Sequence, residues 1–458
     1  MRGSGWFMGA GTAIALVTGS AQGQNVACLS DEFEDGATIT AWRRVHVAES
    51  WNADQLEIYD INASLPGGMV MMPYACTWYR DYRGPMNFKL ASGDFALTAH
   101  VRVTSRDGVS TPGSLYSLGG IMLRTPRAIT PGTWTPGGEN YVFLSLGYGQ
   151  DTTIHPQFEV KTTIASDSVL QLSPAQGLEA TLQIARAGEY VIALLREPGG
   201  PWEVHRRYHR PDMPGILQAG MVTYSDWLKA STVDPFVHNQ TVFQAGMPSD
   251  PSPWQEIAPD LIAGFEYARF AQVELPPALI GVDLTDPVLV PDGVLLSFLG
   301  ASLDVPGPEQ VRITGDPPHA AVHIGDTAVF SIETTGTVTS YAWRMNGVPL
   351  SDGSLPSGAE VSGSSTSTLT IDHVSFMEDG AELSCRVQGA CTDVESVAGV
   401  LTVLCPSDHD GSGFVDTDDF DSFVAAFEAG TDDADFDGTG FVDTDDFDAF
   451  IRAFESGC

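Results

Sequence analysis

The chain has 458 residues, of which 43% are hydrophobic and 9% aromatic, so it can form several folded cores and is not a disordered chain. Its 59 acidic residues outnumber its 22 basic residues and give a net charge of -37. That charge argues against a nucleic-acid partner, because phosphate binding requires a basic surface. Abundant glycine and proline and few helical patterns predict a mainly β protein with many turns.

Residues 1–23 are typical of a signal peptide. Arg2 supplies a positive start, the run from Trp6 to Val17 is apolar, and small residues at 19–21 or 21–23 offer alternative cleavage sites. A membrane anchor is the other interpretation, but it needs about 20 apolar residues and this run is shorter. No later segment is predicted to cross a bilayer. The sequence therefore predicts a secreted protein, extracellular or at the cell surface.

Residues 26–275 carry the patterns of many short strands. In the clearest one, alternate residues are apolar and should face one core: Phe95, Leu97, Ala99, Val101 and Val103. Further strand-like runs lie at 120–124, 141–146, 180–184, 190–196 and 202–208. Strands at this spacing, separated by Gly/Pro turns, predict a large β-sandwich.

Four short motifs give residues 26–275 a family resemblance. They are Asp31-Glu32-Phe33, Gly93-Asp94-Phe95, Gly120-Ile121-Met122-Leu123-Arg124 and Phe265-Glu266-Tyr267-Ala268-Arg269-Phe270. Together they resemble concanavalin A-like jelly rolls. The resemblance implies a concave sheet face that binds glycans or, in some members, cleaves them.

The sequence leaves two functions open for residues 26–275. Glycan binding needs flat aromatic faces, and a cluster beside Cys76 offers candidates, for which packing in a core or turn is the alternative: Trp78, Tyr79, Tyr82 and Arg83. Hydrolysis of a polysaccharide needs two carboxylates about 5–10 Å apart. Glu139, Glu159 and Glu189 are scattered and predicted to be surface charges, and no tight Glu-x-Asp-x-x-Glu strand is present. A carbohydrate-binding protein is therefore favoured over a glycoside hydrolase.

Residues 276–307 are predicted to be a linker or extra strands, and residues 308–404 an immunoglobulin-like sandwich. Trp343 is predicted to be a buried tryptophan, and Asn346-Gly347 a hairpin turn. The stretch from Asp379 to Cys385 resembles the Asp-x-Ala-x-Tyr-x-Cys corner of the immunoglobulin family, with Leu383 replacing the tyrosine. Recognition through loops and a spacer role between modules remain alternatives for this domain.

Residues 405–458 contain an internal repeat. Residues 411–430 and 438–457 are identical at 15 of 20 positions, at an offset of 27. Such close similarity indicates one structural unit used twice.

Each copy contains a 12-residue loop with oxygen donors at positions 1, 3, 5, 7, 9 and 12, the pattern that calcium requires. The first set is Asp408, Asp410, Ser412, the Phe414 carbonyl, Asp416 and Asp419; the second is Asp435, Asp437, Thr439, the Phe441 carbonyl, Asp443 and Asp446. Gly413 and Gly440 stand at position 6, where the chain must turn sharply. We therefore expect two calcium ions. Position 12 is aspartate, not the glutamate of EF-hands.

An amphipathic helix is predicted after each loop. Apolar residues recur at helical spacing: Phe420, Phe423, Val424 and Phe427, and again Phe447, Phe450, Ile451 and Phe454. Gly430 and Gly457 are natural helix stops, and the strand-like run that ends at Leu404 leaves no room for a helix before the first loop.

These loop-then-helix units resemble a type I dockerin over residues 405–458. The resemblance implies a cohesin-like partner that is recognised through loop positions 10 and 11. Those positions are Thr417-Asp418 and Thr444-Asp445, and the acidic residue departs from the family's usual hydroxyl pair. Sixteen acidic residues and one arginine give this segment a net charge of -15, so calcium is expected to be structural.

Six cysteines fit an oxidising compartment, in which free buried thiols are the less favoured alternative to disulfides. Six cysteines allow 15 pairings. The pairing predicted from domain boundaries joins Cys28 to Cys76, Cys385 to Cys391, and Cys405 to Cys458.

Overall fold

The computed structural model describes residues 25–150, 156–247 and 256–456. The predicted signal peptide, Gly457 and Cys458 therefore lie outside the described residues. The chain divides into two compact units, an N-terminal unit of residues 1–307 and a C-terminal unit of residues 308–458. Both are mainly β, as the composition predicts. Among the described residues, no helix is long and apolar enough to cross a membrane.

The N-terminal unit is built from two seven-stranded sheets whose strand neighbours are all antiparallel. Its described strands are β1 (Arg43–Arg44), β2 (Leu56–Ile61), β3 (Met69–Pro73), β4 (Met86–Ser92), β5 (Phe95–Thr104), β6 (Ser117–Arg124), β7 (Tyr141–Tyr148), β8 (Gln157–Ile164), β9 (Asp167–Pro174), β10 (Glu179–Ala187), β11 (Tyr190–Arg196), β12 (Glu203–His209), β13 (Ile216–Tyr224) and β14 (Ile262–Gln272). Sheet I has the order β1-β4-β13-β6-β7-β8-β9, and sheet II the order β12-β11-β10-β5-β14-β3-β2.

The helical elements of the N-terminal unit are short. The α-helices are α1 (Val45–Ala48), α2 (Trp227–Ala230), α3 (Pro235–His238) and α4 (Asp292–Leu296), and the 3-10 turns are Val26–Leu29, Gly36–Ala41, Pro277–Leu279 and Gly300–Ser302.

The main core contains apolar side chains from both sheets. The alternating residues of β5 lie in it as predicted, and they are joined by others such as Leu144 of β7 and Leu182 of β10. The outer face of sheet I is also buried, because the segments that contain Val45 and Trp78 cover it. Burial on both faces explains why β6 is buried at every position along its length.

Residues 276–307 are not a linker or extra strands. Helical turns in this stretch place Leu284, Leu295 and Leu299 against Ile192 and Leu194 of β11, so the segment forms a second apolar cluster on the N-terminal unit. Apolar residues without strand alternation were the sequence signal for this packing.

The C-terminal unit contains small sheets followed by two helices. Its described strands are β15 (Arg312–Gly315), β16 (Ala320–His323), β17 (Ala328–Ser331), β18 (Glu333–Thr335), β19 (Val338–Met345), β20 (Val348–Pro349), β21 (Gly353–Ser354), β22 (Glu360–Ser362), β23 (Thr368–Asp372), β24 (Glu382–Gly389), β25 (Asp393–Glu395) and β26 (Gly399–Leu404). The 3-10 turns are Phe376–Glu378 and Asp432–Ala434, and the helices are α5 (Thr417–Ala429) and α6 (Thr444–Ser456).

The strands of the C-terminal unit enclose a core around Trp343. A six-stranded sheet has the order β16-β26-β24-β19-β20 with β25 on β24, and a four-stranded sheet has the order β17-β23-β22-β21. Trp343 is fully buried, as predicted, and its indole nitrogen donates to the Thr366 carbonyl oxygen. Asn346 and Gly347 both have positive φ and form the predicted turn between β19 and β20.

Helices α5 and α6 pack through the predicted phenylalanines. The rings of Phe423 and Phe450, at equivalent places in the repeat, stack with centroids 3.9 Å apart and planes 6° from parallel. Both rings are fully buried, and Phe420, Phe447 and neighbours surround them. Helix α5 ends at Gly430, which has a φ of 64°.

The predicted disulfides are wrong for two of the three pairs. Cys76 and Cys385 are buried free thiols, whereas Cys28, Cys391 and Cys405 are disulfide-bonded. Neither the Cys28–Cys76 pair nor the Cys385–Cys391 pair therefore exists. Burial raises the pKa of both free thiols, that of Cys385 to about 11, so both stay protonated.

Candidate functional sites

The two repeated loops each gather three carboxylates. Carboxylate oxygens of Asp408, Asp410 and Asp419 lie within 4.8 Å of one another, and the same holds for Asp435, Asp437 and Asp446. These are positions 1, 3 and 12 of the predicted loops. Like charges gathered this closely repel one another unless a cation lies between them.

Backbone amides orient the carboxylates of the first loop. Asp419 accepts from the amides of Asp410 and Asp416 through its two oxygens, at 3.0 and 2.8 Å. Gly413 donates its amide to Asp408 Oδ2 at 2.8 Å, and its φ of 87° is the turn that places this N–H. These hydrogen bonds fix the orientation of the Asp408 and Asp419 carboxylates within the loop.

The second loop repeats this arrangement. Asp446 accepts from the amides of Asp437 and Asp443 at 2.9 and 2.8 Å, and Gly440 donates to Asp435 Oδ2 at 2.8 Å. Equivalent hydrogen bonds in both copies follow from the near-identity of their sequences.

One carboxylate oxygen in each loop is buried without a hydrogen-bond donor. Oδ1 of Asp408 and Oδ1 of Asp435 are buried and accept no hydrogen bond from any described group. A buried carboxylate oxygen without a donor is costly. A hard cation that binds oxygen would satisfy both atoms, so the residues present fit calcium.

The pKa of the two position-12 carboxyls favours the charged form. Burial by itself would raise the pKa of Asp419, but the amides of Asp410 and Asp416 outweigh it and the pKa is lowered. Amides of Asp437 and Asp443 lower the pKa of Asp446 in the same way. Both carboxyls are therefore held ionised, as metal ligands must be.

The remaining predicted ligands lie nearby but outside the carboxylate clusters. Ser412 Oγ donates to the Phe414 carbonyl oxygen at 3.2 Å, and Thr439 Oγ1 to that of Phe441 at 3.5 Å. Asp416 and Asp443 instead accept from backbone amides at the starts of α5 and α6. Position 9 often reaches calcium through water, which this placement allows.

The predicted docking residues are all exposed. Thr417 and Asp418 lie in the first turn of α5, and Thr444 and Asp445 in the first turn of α6. The side chains of Phe414 and Phe441, at position 7 of the loops, are each 75% exposed. The sequence predicted a role only for the backbone carbonyl oxygens of these two residues, as calcium ligands.

The predicted glycan surface at residues 78–83 is wrong for two of its four members. Trp78 and Arg83 have no exposed surface, because Trp78 packs on the outer face of sheet I and Arg83 pairs with a buried carboxylate. Tyr79 and Tyr82 are partly exposed. Both contact Trp227, with ring centroids 5.3 and 5.9 Å from its own.

A pocket opens beside these tyrosines on the N-terminal unit. Its volume is about 330 Å³ and its lining is mainly apolar: Thr77, Tyr79, Leu115, Tyr116, Gln150, Lys161, Leu170, Trp227 and Leu228. No sequence pattern pointed to Trp227. The segments around Tyr79, Tyr116 and Trp227 are far apart in the chain, and only the fold brings them together.

Glu139 and Glu159 are not surface charges, contrary to the prediction, whereas Glu189 is exposed as expected. Glu139 accepts from Arg124 Nε at 2.8 Å and from Arg127 Nη1 at 2.5 Å. Burial by itself would raise the pKa of Glu139, but Arg124 and Arg83 outweigh it and lower the pKa to about 2. Glu139 is therefore a permanent counter-ion and cannot act as a general acid.

Glu49 completes this buried ion cluster, which we define as Glu49, Arg83, Arg124, Arg127 and Glu139. Glu49 pairs with Arg83 and, at 2.8 Å, with Arg124. Glu159 belongs to a separate group, in which it pairs with Lys161 Nζ at 2.8 Å and accepts from the Tyr224 hydroxyl at 3.1 Å.

Comparisons with known proteins assign no family. No protein-family model matches the sequence, and no curated protein matches it. Among solved structures, a functionally unknown protein from Saccharomyces cerevisiae is 13% identical, with 52% of this chain and 99% of that chain covered and a TM-score of 0.33. Titin M4 is 20% identical over 21% of this chain and 98% of its own, with a TM-score of 0.18. The Ig1-2 module of the Drosophila receptor tyrosine phosphatase DLAR is 25% identical, over 20% of this chain and 48% of its own, also with a TM-score of 0.18.

Proposed function

We propose that this chain is a secreted modular protein whose residues 405–458 bind two calcium ions and dock onto a partner protein. One observation carries the proposal: each repeated loop gathers three carboxylates and leaves one buried oxygen without a donor. Disulfide bonds at Cys28, Cys391 and Cys405 support export, because disulfides persist in oxidising compartments.

Calcium in this proposal is structural. The segment has 16 acidic residues against one arginine, and its core is little more than the stacked phenylalanines of two short helices. Two divalent ions cancel four of its negative charges and hold both loops in the conformation that begins α5 and α6.

Calorimetry on the full-length protein tests the calcium proposal. We expect the wild type to bind two calcium ions, and Asp408→Ala with Asp435→Ala to abolish binding. The matched control is Asp421→Ala with Asp448→Ala, which removes the same charge from exposed helix positions outside the clusters. Equal loss in both double variants would show that bulk charge, and not the loops, attracts the ion.

The docking proposal follows the dockerin resemblance of residues 405–458, with a cohesin-like partner. Thr417-Asp418 and Thr444-Asp445 occupy equivalent exposed positions, so either copy can present nearly the same surface. Surface plasmon resonance against a panel of cohesin domains tests this. We expect Lys substitutions at one pair to leave binding largely intact and at both pairs to abolish it. Absence of binding to any cohesin, with calcium bound, contradicts docking but not calcium binding.

A second role, carbohydrate binding by the N-terminal unit in a concanavalin A-like jelly roll, is supported by the pocket beside Tyr79, Tyr116 and Trp227. Aromatic walls suit the apolar faces of sugar rings. The alternative, polysaccharide hydrolysis, needs two carboxylates that face a shared opening. Glu139 and Glu159 are held in buried ion pairs, which favours binding over hydrolysis.

A further inference from the structure

We propose that the pocket of the N-terminal unit selects an uncharged sugar ring, and that the buried Lys161–Glu159 ion pair sets this selectivity. The inference rests on the proposed carbohydrate-binding function and names the ligand class at that site. The pocket's volume of about 330 Å³ is at the small end of small-molecule sites, which span about 300–1,000 Å³. That size suits the end of a glycan and not a long chain laid along a groove.

Aromatic rings form the walls of the pocket. Trp227 is central, because the rings of Tyr79 and Tyr116 meet it at near-perpendicular angles, with centroids 5.3 and 6.4 Å away. The Tyr116 hydroxyl donates to Gln150 Oε1 at 2.8 Å, and the amide N–H groups of Gln150 have no partner among the described residues and can donate to a ligand. The lining thus combines apolar ring surface with a few polar groups, as a sugar requires.

The backbone beside these aromatic residues is strained. Arg80, Tyr116 and Asp226 have φ values of 53°, 55° and 62°, in the left-handed region that non-glycine residues rarely adopt. Each is one of the wall residues or the direct neighbour of one. Strain of this kind persists only where the surroundings enforce it, and it clusters at binding sites. The fold therefore holds the aromatic walls in place before a ligand arrives.

Lys161 leaves no position for a ligand cation over the Tyr79 ring. Among the described residues that line the pocket, Lys161 is the only charged one. Its Nζ lies 5.3 Å from the ring centroid of Tyr79, which is the position over this lining ring that a ligand cation would otherwise take. An amino sugar would bring a second positive charge to a position that is already occupied.

The same lysine cannot recruit an anion, because its charge is already matched. Lys161 Nζ donates to the Trp78 carbonyl oxygen at 2.6 Å and pairs with Glu159 Oε1 at 2.8 Å. Glu159 is fully buried, is not part of the lining, and also accepts from the Tyr224 hydroxyl. These two contacts hold the ammonium group beside the pocket, where it can also donate to a neutral hydroxyl of a ligand.

Binding of three saccharide classes to the full-length protein tests the proposal. The probes are neutral gluco- and manno-oligosaccharides, oligogalacturonates and chitosan oligosaccharides, measured by calorimetry. We expect one of the neutral probes to bind, with the two charged classes at least about tenfold weaker. Uronate binding equal to or tighter than neutral binding would overturn the selectivity and leave carbohydrate binding intact. If no class binds, carbohydrate binding itself fails.

Two tryptophan variants locate the site. Trp227→Ala should weaken neutral-sugar binding by about tenfold or more, as for a buried aromatic contact. The matched control is Trp134→Ala, because Trp134 packs against Trp51 and Phe236 and does not line the pocket. If Trp227→Ala binds as tightly as the wild type, the pocket is not the site.

A third variant addresses the ion pair. Glu159→Gln keeps the side-chain shape but leaves the charge of Lys161 unmatched, so it should bind oligogalacturonate more tightly than the wild type does. An unchanged ratio of uronate to neutral affinity in a folded Glu159→Gln protein would overturn the role of the pair. If this variant does not fold, the wild-type comparison and Trp227→Ala still decide the proposal.

Discussion

Two regions of this protein concentrate carboxylates, and they handle the charge in opposite ways. The buried ion cluster of the N-terminal unit surrounds Glu49 and Glu139 with three arginines from its own chain. The two repeated loops gather three aspartates each, and the only arginine or lysine of residues 405–458, Arg452, lies on α6 outside the clusters. A carboxylate cluster that contains its counter-ions stabilises the fold by itself, whereas one that lacks them needs, in our proposal, a cation from solution.

The largest expected loss of stability follows from removing an arginine of the buried ion cluster. Arg124→Ala removes both hydrogen bonds of Arg124 to Glu139 and its ion pair with Glu49, and breaking a buried pair costs about 3–5 kcal/mol. Urea unfolding followed by tryptophan fluorescence measures the change. The matched control is Arg106→Ala, which breaks a partly exposed pair with Glu57 and should cost about 1 kcal/mol or less. Equal losses of stability in the two variants would contradict a stabilising role of the buried ion cluster.

Acid should weaken the buried ion cluster over a defined range of pH. Because the pKa of Glu139 is lowered from 4.5 to about 2 in the folded state, its stabilisation is present above pH 4.5 and is lost as pH falls toward 2. The shift corresponds to roughly 3 kcal/mol. Urea unfolding at a series of pH values tests this, and Glu139→Gln should give a flatter pH profile than the wild type. An equally steep profile would assign the acid sensitivity to other carboxyls.

Calcium removal should destabilise the two repeated loops and their helices and leave the N-terminal unit unchanged. At a calcium concentration one hundred times its Kd, a bound ion adds about 2.7 kcal/mol per site, which chelation removes. Amide hydrogen exchange on the full-length protein should therefore accelerate in α5 and α6 after chelation and stay unchanged in β6 and β7. Faster exchange in both regions would mean that the buried ion cluster also depends on a metal.

The smallest expected change in stability comes from altering the turn at position 6 of the first loop. Gly413 has a φ of 87°, so Gly413→Ala should destabilise the first loop by about 1 kcal/mol and weaken calcium binding there. Gly293→Ala is the control, since Gly293 lies in α4 with open space around it and no positive φ, and alanine there should be neutral or slightly stabilising. Calorimetry of both variants decides whether the turn positions the carboxylates.

Features that depend on a short stretch of chain were determined by the sequence itself. The aspartate clusters of the two repeated loops, α5, α6 and the inward face of β5 depend on residues within one loop, helix or strand, where spacing dictates geometry. Trp343 was recognisable for the same reason. The position-1, -3 and -12 aspartates come together because a 12-residue loop has few ways to fold around them.

Tertiary structure alone decided the burial of Trp78, Arg83, Glu139 and Glu159, the cysteines that remain free, and the packing of residues 276–307. Each depends on contacts between distant segments: Arg124 meets Glu49 from 75 residues away, and the Arg83 amide donates to Asn239 from 156 residues away. Alternation along a strand shows which residues share a face. It does not show which loop will cover the opposite face, because that choice depends on where the turns return the chain.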